Sequence, residues 1–338
     1  MLKTLRLTKG EFYMHHNLKL FVVIFFLVAC QSPQIDATEA PAQTPSIGQG
    51  DAFWKHWSDG QAEIAGYKLT MPRYSQERAG YAVAIFVTET MDHQTRVKTD
   101  APQDASHYPV MKLNLIKDFQ TGIYDYNTML SAFVTLSSNA HLPVGHVSKL
   151  SFSSQEWCGH VYHQLLFERG KITETSHSYF ENEADISRTF KTAPHVLSED
   201  TLLLWARGMS GPKLAPGEQT IVPMLNSLQR VRLDHATLQA TRATLGRHPT
   251  PETITTPAGT FETNRYIASI EGGQTWEIFV ENAFPNRVIK WENSGGEKAE
   301  LQGMMRVAYW AKQRNDHSAL LSKLGLAPLA EPKTELKQ

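Results

Sequence analysis

From residue 261 onward the chain repeats one arrangement, an apolar-rich extended run, a glycine-bearing turn and a second such run. Phe261 to Glu271 and Thr275 to Glu281 flank Gly272-Gly273, and Asn286 to Glu292 and Glu297 to Tyr309 flank Asn293-Ser294-Gly295-Gly296. Glycine reaches positive φ without steric penalty, which the tight primed turns of hairpins require. Consecutive hairpins of this kind build an antiparallel meander.

The pattern extends upstream. Gln61 to Met71 and Tyr81 to Glu89 read as strands on either side of a turn-prone stretch, Pro72 to Gly80. In Val110 to Phe119, Met111, Leu113 and Leu115 alternate with Lys112, Asn114 and Ile116, which marks a half-buried strand. Tyr124 to Leu136, His146 to Phe152, Trp157 to Phe167 and Lys171 to Phe180 continue the series, the last two separated by Arg169-Gly170. One interruption follows: Ser198 can cap a helix with Glu199 and Asp200 in its first turn, Leu202 to Ala206 as its buried face and Gly208 at its end. Such a helix can plug or cover an open sheet. Strands resume at Thr220 to Asp234 and Ala236 to Leu245, and Asn315 or Asp316 can cap a short last helix carrying Leu320, Leu321 and Leu324 to Gly325. The aromatic cluster Phe53 to Trp57 suits a cap over one end of the core. The expected fold is mainly β: a large curved antiparallel sheet or half-barrel with one central and one C-terminal helix. It covers 51–327 as one β-rich domain, or as two fused halves meeting near 195–218, with 328–338 a polar tail.

Stability must come from burial, because the chain holds two cysteines, Cys30 and Cys158, and the first is claimed elsewhere. Ahead of Cys30, an apolar run from Leu20 to Ala29 follows Lys3, Arg6, Lys9 and Lys19, the order of a secretory signal. It is too short to span a bilayer, which takes roughly 20 apolar residues. Initiation at Met14 instead of Met1 leaves the same apolar core. Leu27-Val28-Ala29-Cys30 resembles the lipobox of bacterial lipoproteins. That resemblance implies removal of 1–29, acylation of Cys30 and a membrane-tethered product, and Gln31 in place of Asp favours the outer membrane by similarity to enterobacterial sorting. An ordinary secretory signal with an incidental cysteine is the alternative. Residues 30–50, rich in Pro, Ala, Thr, Gln, Ser and Gly, read as a flexible tether. Losing 1–29 removes four basic residues and one acidic one, so the net charge of −1 becomes −4. A mildly acidic chain lacks the basic footprint of a nucleic-acid binder, so no nucleic-acid partner is expected.

Two further resemblances concern the folded part. Thr256-Pro257-Ala258-Gly259-Thr260-Phe261-Glu262-Thr263, the strand Trp276 to Val280, and Pro285 to Glu292 resemble the closing strands of an uncharacterised family of periplasmic half-barrel proteins. That family is similar in outline to lipid-handling envelope proteins. The segment Arg78 to Glu89 is similar to lipoproteins labelled septum formation inhibitor Maf. The Ser-x-Ser-Pro-Arg-Arg motif of true Maf pyrophosphatases has no match here, so the label implies no activity.

The densest reactive stretch runs from Ser153 to His163. Read as one extended strand, it puts Glu156, Cys158, His160 and Tyr162 on one face and Trp157, Val161 and His163 on the other. Carboxylate, thiolate and imidazole are ligands that zinc accepts, and a thiol beside a base is a nucleophile pattern. Alternate strand residues stand about 7 Å apart, so convergence on one ion needs a bend, which Gly159 can supply. The competing reading is a polar strand face with an inert thiol. His141 and His146 flank a loop and read as solvated, and His93, His107, His195, His235 and His248 lack ligand-like spacing. H-E-x-x-H, P-loop and G-x-S-x-G motifs are missing. The leading expectation is therefore a non-catalytic, lipid-anchored envelope protein without a cofactor, binding a lipid, a glycolipid or another envelope protein. The alternative is a zinc- or thiol-dependent hydrolase centred on Glu156, Cys158 and His160 with His163 in support.

Overall fold

The structure, a computed structural model, describes residues 50–100, 106–139 and 142–329. The expected signal segment, Cys30, most of the tether, His141 and the end of the tail lie outside the described residues. The first half of the chain forms β1 (Ala62–Arg73), β2 (Gln76–Asp92), β3 (His107–Thr121), β4 (Tyr124–Thr135), β5 (Val147–Glu156), β6 (Gly159–Glu168), β7 (Lys171–Ser178) and β8 (Ile186–Lys191). The second half forms β9 (Leu197–Ser198), β10 (Gln219–Leu225), β11 (Ala240–Arg247), β12 (Glu252–Thr256), β13 (Gly259–Ile270), β14 (Thr275–Glu281), β15 (Val288–Asn293) and β16 (Lys298–Val307). All sixteen belong to one sheet.

The order across the sheet explains its curvature. β1 to β8 run outward as a meander on one side of β1, while β16 back to β13, then β11, β10 and β9, run outward on the other, with β12 paired to β13. The chain therefore jumps from one outer strand, β8, to the other, β9, and uses only residues 192–196 to do so. Six extended steps reach at most about 21 Å, whereas fifteen strands laid flat span roughly 65 Å. The sheet must curl until its two edges nearly meet. It stays open, a half-barrel with a seam. The pairing is antiparallel except between β9 and β10, which run parallel at Met224↔Leu197 and Leu225↔Ser198. That exception follows from the jump, which brings the chain to the second edge pointing the same way as β10.

The expected central helix lies on the concave side, and it begins as a 3-10 turn, Glu199–Thr201, before α-helix Leu202–Ala206. Ser198 caps it by accepting the Asp200 N–H at 3.2 Å. Leu202, Leu203, Leu204, Trp205 and Ala206 are all buried in the main core cluster. The C-terminal helix, Asn315–Leu324, is 3-10 throughout and starts after Arg314. It lies against the other side of the sheet, where a Cβ at Gly66 would sit 2.1 Å from the Leu324 carbonyl oxygen.

Two helices are additional to the expectation. With α1 Asp51–Trp57, α2 Leu202–Ala206 and α3 Leu228–Leu233 numbered in chain order, α3 occupies the end of the expected strand Thr220 to Asp234. Ser227 starts it by accepting the Gln229 N–H at 3.1 Å. The aromatic run Phe53 to Trp57 is α1, whose Asp51 and Lys55 complement the helix dipole. The expected turn Pro72 to Gly80 is instead strand on both sides of a two-residue turn at Tyr74-Ser75, with φ of 54° and 59°.

Because hairpin turns alternate between the ends of a meander, the sheet has two distinct ends. The β1–β2, β3–β4, β5–β6 and β7–β8 connections form a rim at one end, beside α3. At the other lie α1, the exit of α2 and the β14–β15 connection.

A candidate ligand groove

The structure does not bring Glu156, Cys158 and His160 together. Trp157 and Cys158 are the turn between β5 and β6, and Glu156 pairs with Gly159. The turn reverses the parity that a continuous strand would have. Glu156 thus shares the inward face with Val161 and His163, while His160 and Tyr162 face outward and are exposed. Glu156 is ion-paired with Arg232, whose guanidinium lies 3.5 Å from the Phe180 ring centroid. Cys158 is exposed at the turn. His163 bonds Glu174 at 2.9 Å, and Arg188 donates to the same carboxylate at 2.6 Å. Burial pushes Glu174 up, but these two donors outweigh it and hold it below the ordinary carboxylate range. Among the described residues, no group of three or more His, Cys, Asp or Glu is placed to hold a metal ion.

His146 also departs from expectation. It is buried, not solvated. Its Nδ1 lies 3.1 Å from the Val144 carbonyl and its Nε2 lies 2.7 Å from Nδ1 of His195. This pair fastens the edge-to-edge crossover to the β4–β5 connection.

The concave side of the sheet is largely filled by the chain itself. Glu199 accepts from Trp276 Nε1 at 2.7 Å and Ser227 N at 2.9 Å, and Asp200 accepts from Ser227 Oγ at 2.7 Å and Leu228 N at 2.9 Å. These carboxylates receive the first turn of α3, and burial raises both above their ordinary range. Lys117 donates to Glu297 at 2.6 Å, and Trp291 Nε1 donates to the same oxygen at 2.9 Å. The cavity left among these groups is about 40 Å³, room for a few waters and nothing larger.

Real space opens at the α1 end. A groove of about 400 Å³ lies between α1, the segment leaving α2, the end of β11 and the β14–β15 connection. Phe53 and Trp57 of α1, Trp205 of α2, Tyr266 of β13 and Phe284 supply five aromatic rings. Trp205 meets Tyr266 edge-on at 5.4 Å and is held by its Nε1–H, which donates to the Pro212 carbonyl at 3.0 Å. Burial raises the Tyr266 phenol, with Arg247 opposing it.

The charges are one-sided. Arg207, Lys213 and Arg247 line the groove, and among the described residues no Asp or Glu does. Arg207 is neutralised from behind by Glu63, with contacts of 2.7 and 3.2 Å, and it faces the Phe86 ring at 4.2 Å. Its side chain is 0% exposed and that of Glu63 is 2%, so the pair is a fixed joint between plug and wall. Arg247 has no such partner among the described residues. It donates to the Leu214 carbonyl at 3.3 Å and Asn264 Oδ1 at 3.1 Å, both neutral, and its Nε is buried without an acceptor. A second groove, about 440 Å³, lies between the C-terminal 3-10 helix and the outer face of the sheet; it is more open and more apolar.

Neither a family model nor a curated protein matches the sequence. Among solved structures, the chain is similar to a β-barrel-like protein of a domain of unknown function, DUF1849, from Brucella abortus. The identity is 10% and the TM-score 0.42, over 72% of this chain and 96% of that one. It is also similar to a DUF1089 family protein from Pseudomonas aeruginosa, at 11% identity and a TM-score of 0.31, over 53% of this chain and 82% of that one.

Of the groove residues, the sequence placed Phe53 and Trp57 in an end cap, Trp205 and Ala206 on a buried helix face, Gly208 at the helix end and Pro285-Asn286 in a closing strand, and assigned none of them to a ligand. Arg207, Lys213, Arg247 and Tyr266 carry no local pattern. Five separate segments bring the lining together.

Proposed function

We propose that this chain is a lipid-anchored envelope protein, acylated at Cys30 and held at the outer membrane, that binds an apolar or amphipathic ligand without catalysing a reaction on it. The observation that carries the reading is the groove at the α1 end, concave, aromatic-lined and of a volume typical of small-molecule sites, roughly 300–1,000 Å³. Its position adds to the argument. Gly50, the first described residue, lies on its lining, so a tether running from Cys30 to Gly50 keeps the groove at the anchored end.

Two measurements test the two halves of the proposal. Mass spectrometry of gently purified protein should find a bound lipid-like molecule, or saturable uptake of one; persistently empty protein with no uptake counts against ligand binding. A Cys30→Ser variant should not incorporate labelled fatty acid and should keep its signal segment, while the sheet folds as before. Undiminished labelling removes the anchor.

A second reading is docking of another envelope component at the opposite end. It is favoured by the exposed large apolar side chains of Tyr74, Ile123, Trp157 and Tyr179, all on the hairpin rim, since large exposed apolar surface marks interaction sites.

A further inference from the structure

We infer that the groove takes a single-chain anionic amphipath, with its carboxylate or phosphate head at Arg247 and Lys213 and its hydrocarbon laid over Phe53, Tyr266 and Phe284. This rests on the groove being a ligand site and specifies its ligand class. Three observations carry it.

The first is the charge balance. Among the described residues the lining holds three cations and no carboxylate, and Glu63 compensates one of them, Arg207. Arg247 and Lys213 form no ion pair among the described residues, and the half-buried Arg247 guanidinium has its lost hydration replaced only in part, by two neutral oxygens and the Tyr266 ring at 5.8 Å. A cationic ligand would add repulsion, and a neutral one would leave the deficit. An anion removes it.

The second is the donor geometry. A guanidinium has five N–H donors, and those of Arg247 meet only two neutral oxygens, with Nε unmet. Planar donors left over are suited to a carboxylate or phosphate, which accept in pairs. Lys213 is exposed at the mouth, free to follow a head group as a mobile point charge.

The third is size and surface. About 400 Å³ lies near the lower end of the usual range for ligand sites, room for one chain and not for a two-chain lipid. Phe53, Tyr266 and Phe284 offer hydrocarbon contact, while Trp57 and Trp205 are buried behind them. The small interior cavity excludes a deeper tail, so the chain must lie along the groove.

The test is calorimetric titration of the purified full chain with dodecanoate, dodecyl phosphate, dodecanol, dodecyltrimethylammonium, and acetate and inorganic phosphate as heads without chains. Dodecanoate and dodecyl phosphate should bind at least about tenfold tighter than dodecanol, the gain of one charge-assisted hydrogen bond. The cationic detergent should bind worst. Arg247→Gln with Lys213→Gln should erase the preference of dodecanoate over dodecanol, Lys213→Gln alone should reduce it, and Arg247→Lys should retain most of it, with thermal melting verifying that each variant is folded. Equal binding of dodecanol and dodecanoate, or an unchanged preference in the double variant, overturns the anionic head while the groove stands. Binding of no chain compound at all overturns the groove reading too. Acetate or phosphate binding as tightly as the chain compounds overturns the amphipath in favour of a free-anion site.

Discussion

The two ends of the half-barrel use aromatic residues in opposite ways. At the α1 end, the rings of Trp57 and Trp205 are turned inward around a concavity and backed by arginines. At the rim, four successive hairpin connections each project a large apolar side chain, Tyr74 (53% exposed), Ile123 (80%), Trp157 (69%) and Tyr179 (72%). Three of the four lie close to a residue of another strand. Tyr74 and Tyr126 hydroxyls meet at 2.7 Å, Tyr124 lies 6.4 Å from Trp157, and a Cβ on Gly159 would come within 2.4 Å of Tyr179. Around them stand exposed carboxylates, Asp125, Glu181 and Asp185, where the groove has none among the described residues. The difference follows from what closes each end. Helix and loop segments fold over the α1 end and leave a hollow between them, whereas two-residue turns such as Tyr74-Ser75 and Trp157-Cys158 can only protrude.

The contrast can be broken most severely at the joint behind the groove. Replacing Glu63 with Ala leaves the Arg207 charge buried without its partner, which should cost about 3–5 kcal/mol in chemical denaturation and disorder the groove. A loss below about 1 kcal/mol would mean that Arg207 finds water and that the joint is not fixed. One step smaller is Trp276→Phe, which removes the donor to buried Glu199. About 1–3 kcal/mol should be lost, and because the groove does not include Trp276, ligand affinity should be unchanged.

At the rim, folding should barely notice the loss of the projecting side chains. Trp157→Ser and Tyr179→Ser should each stay within about 0.5 kcal/mol of the wild type, with groove binding unaltered. A melting shift of many degrees in either would show that the rim is packed core. Cys158 offers a sharper check on the independence of the ends. Iodoacetamide should modify it stoichiometrically in folded protein, at the same rate with and without dodecanoate present. Protection by ligand would couple the two ends.

A pH-dependent effect concerns the crossover. Burial, opposed by the Val144 carbonyl, holds His146 below the ordinary imidazole range, and burial with Arg169 nearby does the same for His195. A depressed histidine is neutral in the folded chain while the unfolded chain takes up protons, so the contribution is complete above about pH 6.5 and falls as pH drops below it. Urea midpoints measured at pH 7.5 and 5.5 should therefore fall more in the wild type than in His146→Gln/His195→Gln. The difference should stay below about 1 kcal/mol because water screens the half-exposed His195. An identical fall in both proteins would leave the pair without a role in acid sensitivity. Buried Glu199 and Asp200, raised instead of depressed, pull the other way in both proteins and cancel in the comparison.

Much of the fold was legible because its signals are local. Gly272-Gly273 lies between β13 and β14 as expected, and Ser198 caps the central helical segment whose leucines are buried. Where reading failed, the missing signal was an exception to a local rule. Tyr74-Ser75 makes a positive-φ turn without glycine or asparagine, so the strands around it looked shorter than they are. Trp157-Cys158 is a two-residue turn made of residues with no turn preference, and reading through it put Glu156 and His160 on one face when the turn separates them. Ser227 was a visible cap for α3, masked by the apolar alternation of the strand just before it.

By itself, the sequence determined the β-meander, the central plug and the absence of any disulfide among the described strands, because alternation, turn chemistry and cysteine count need no knowledge of distant partners. Only the tertiary structure decided where the space is. The groove joins α1, α2, β11, β13 and the β14–β15 connection, and its lack of carboxylates becomes visible only once Glu63 is seen behind Arg207, 144 residues away. Curling the sheet until its edges approach makes that juxtaposition, and it depends on a five-residue crossover that looks like any other loop.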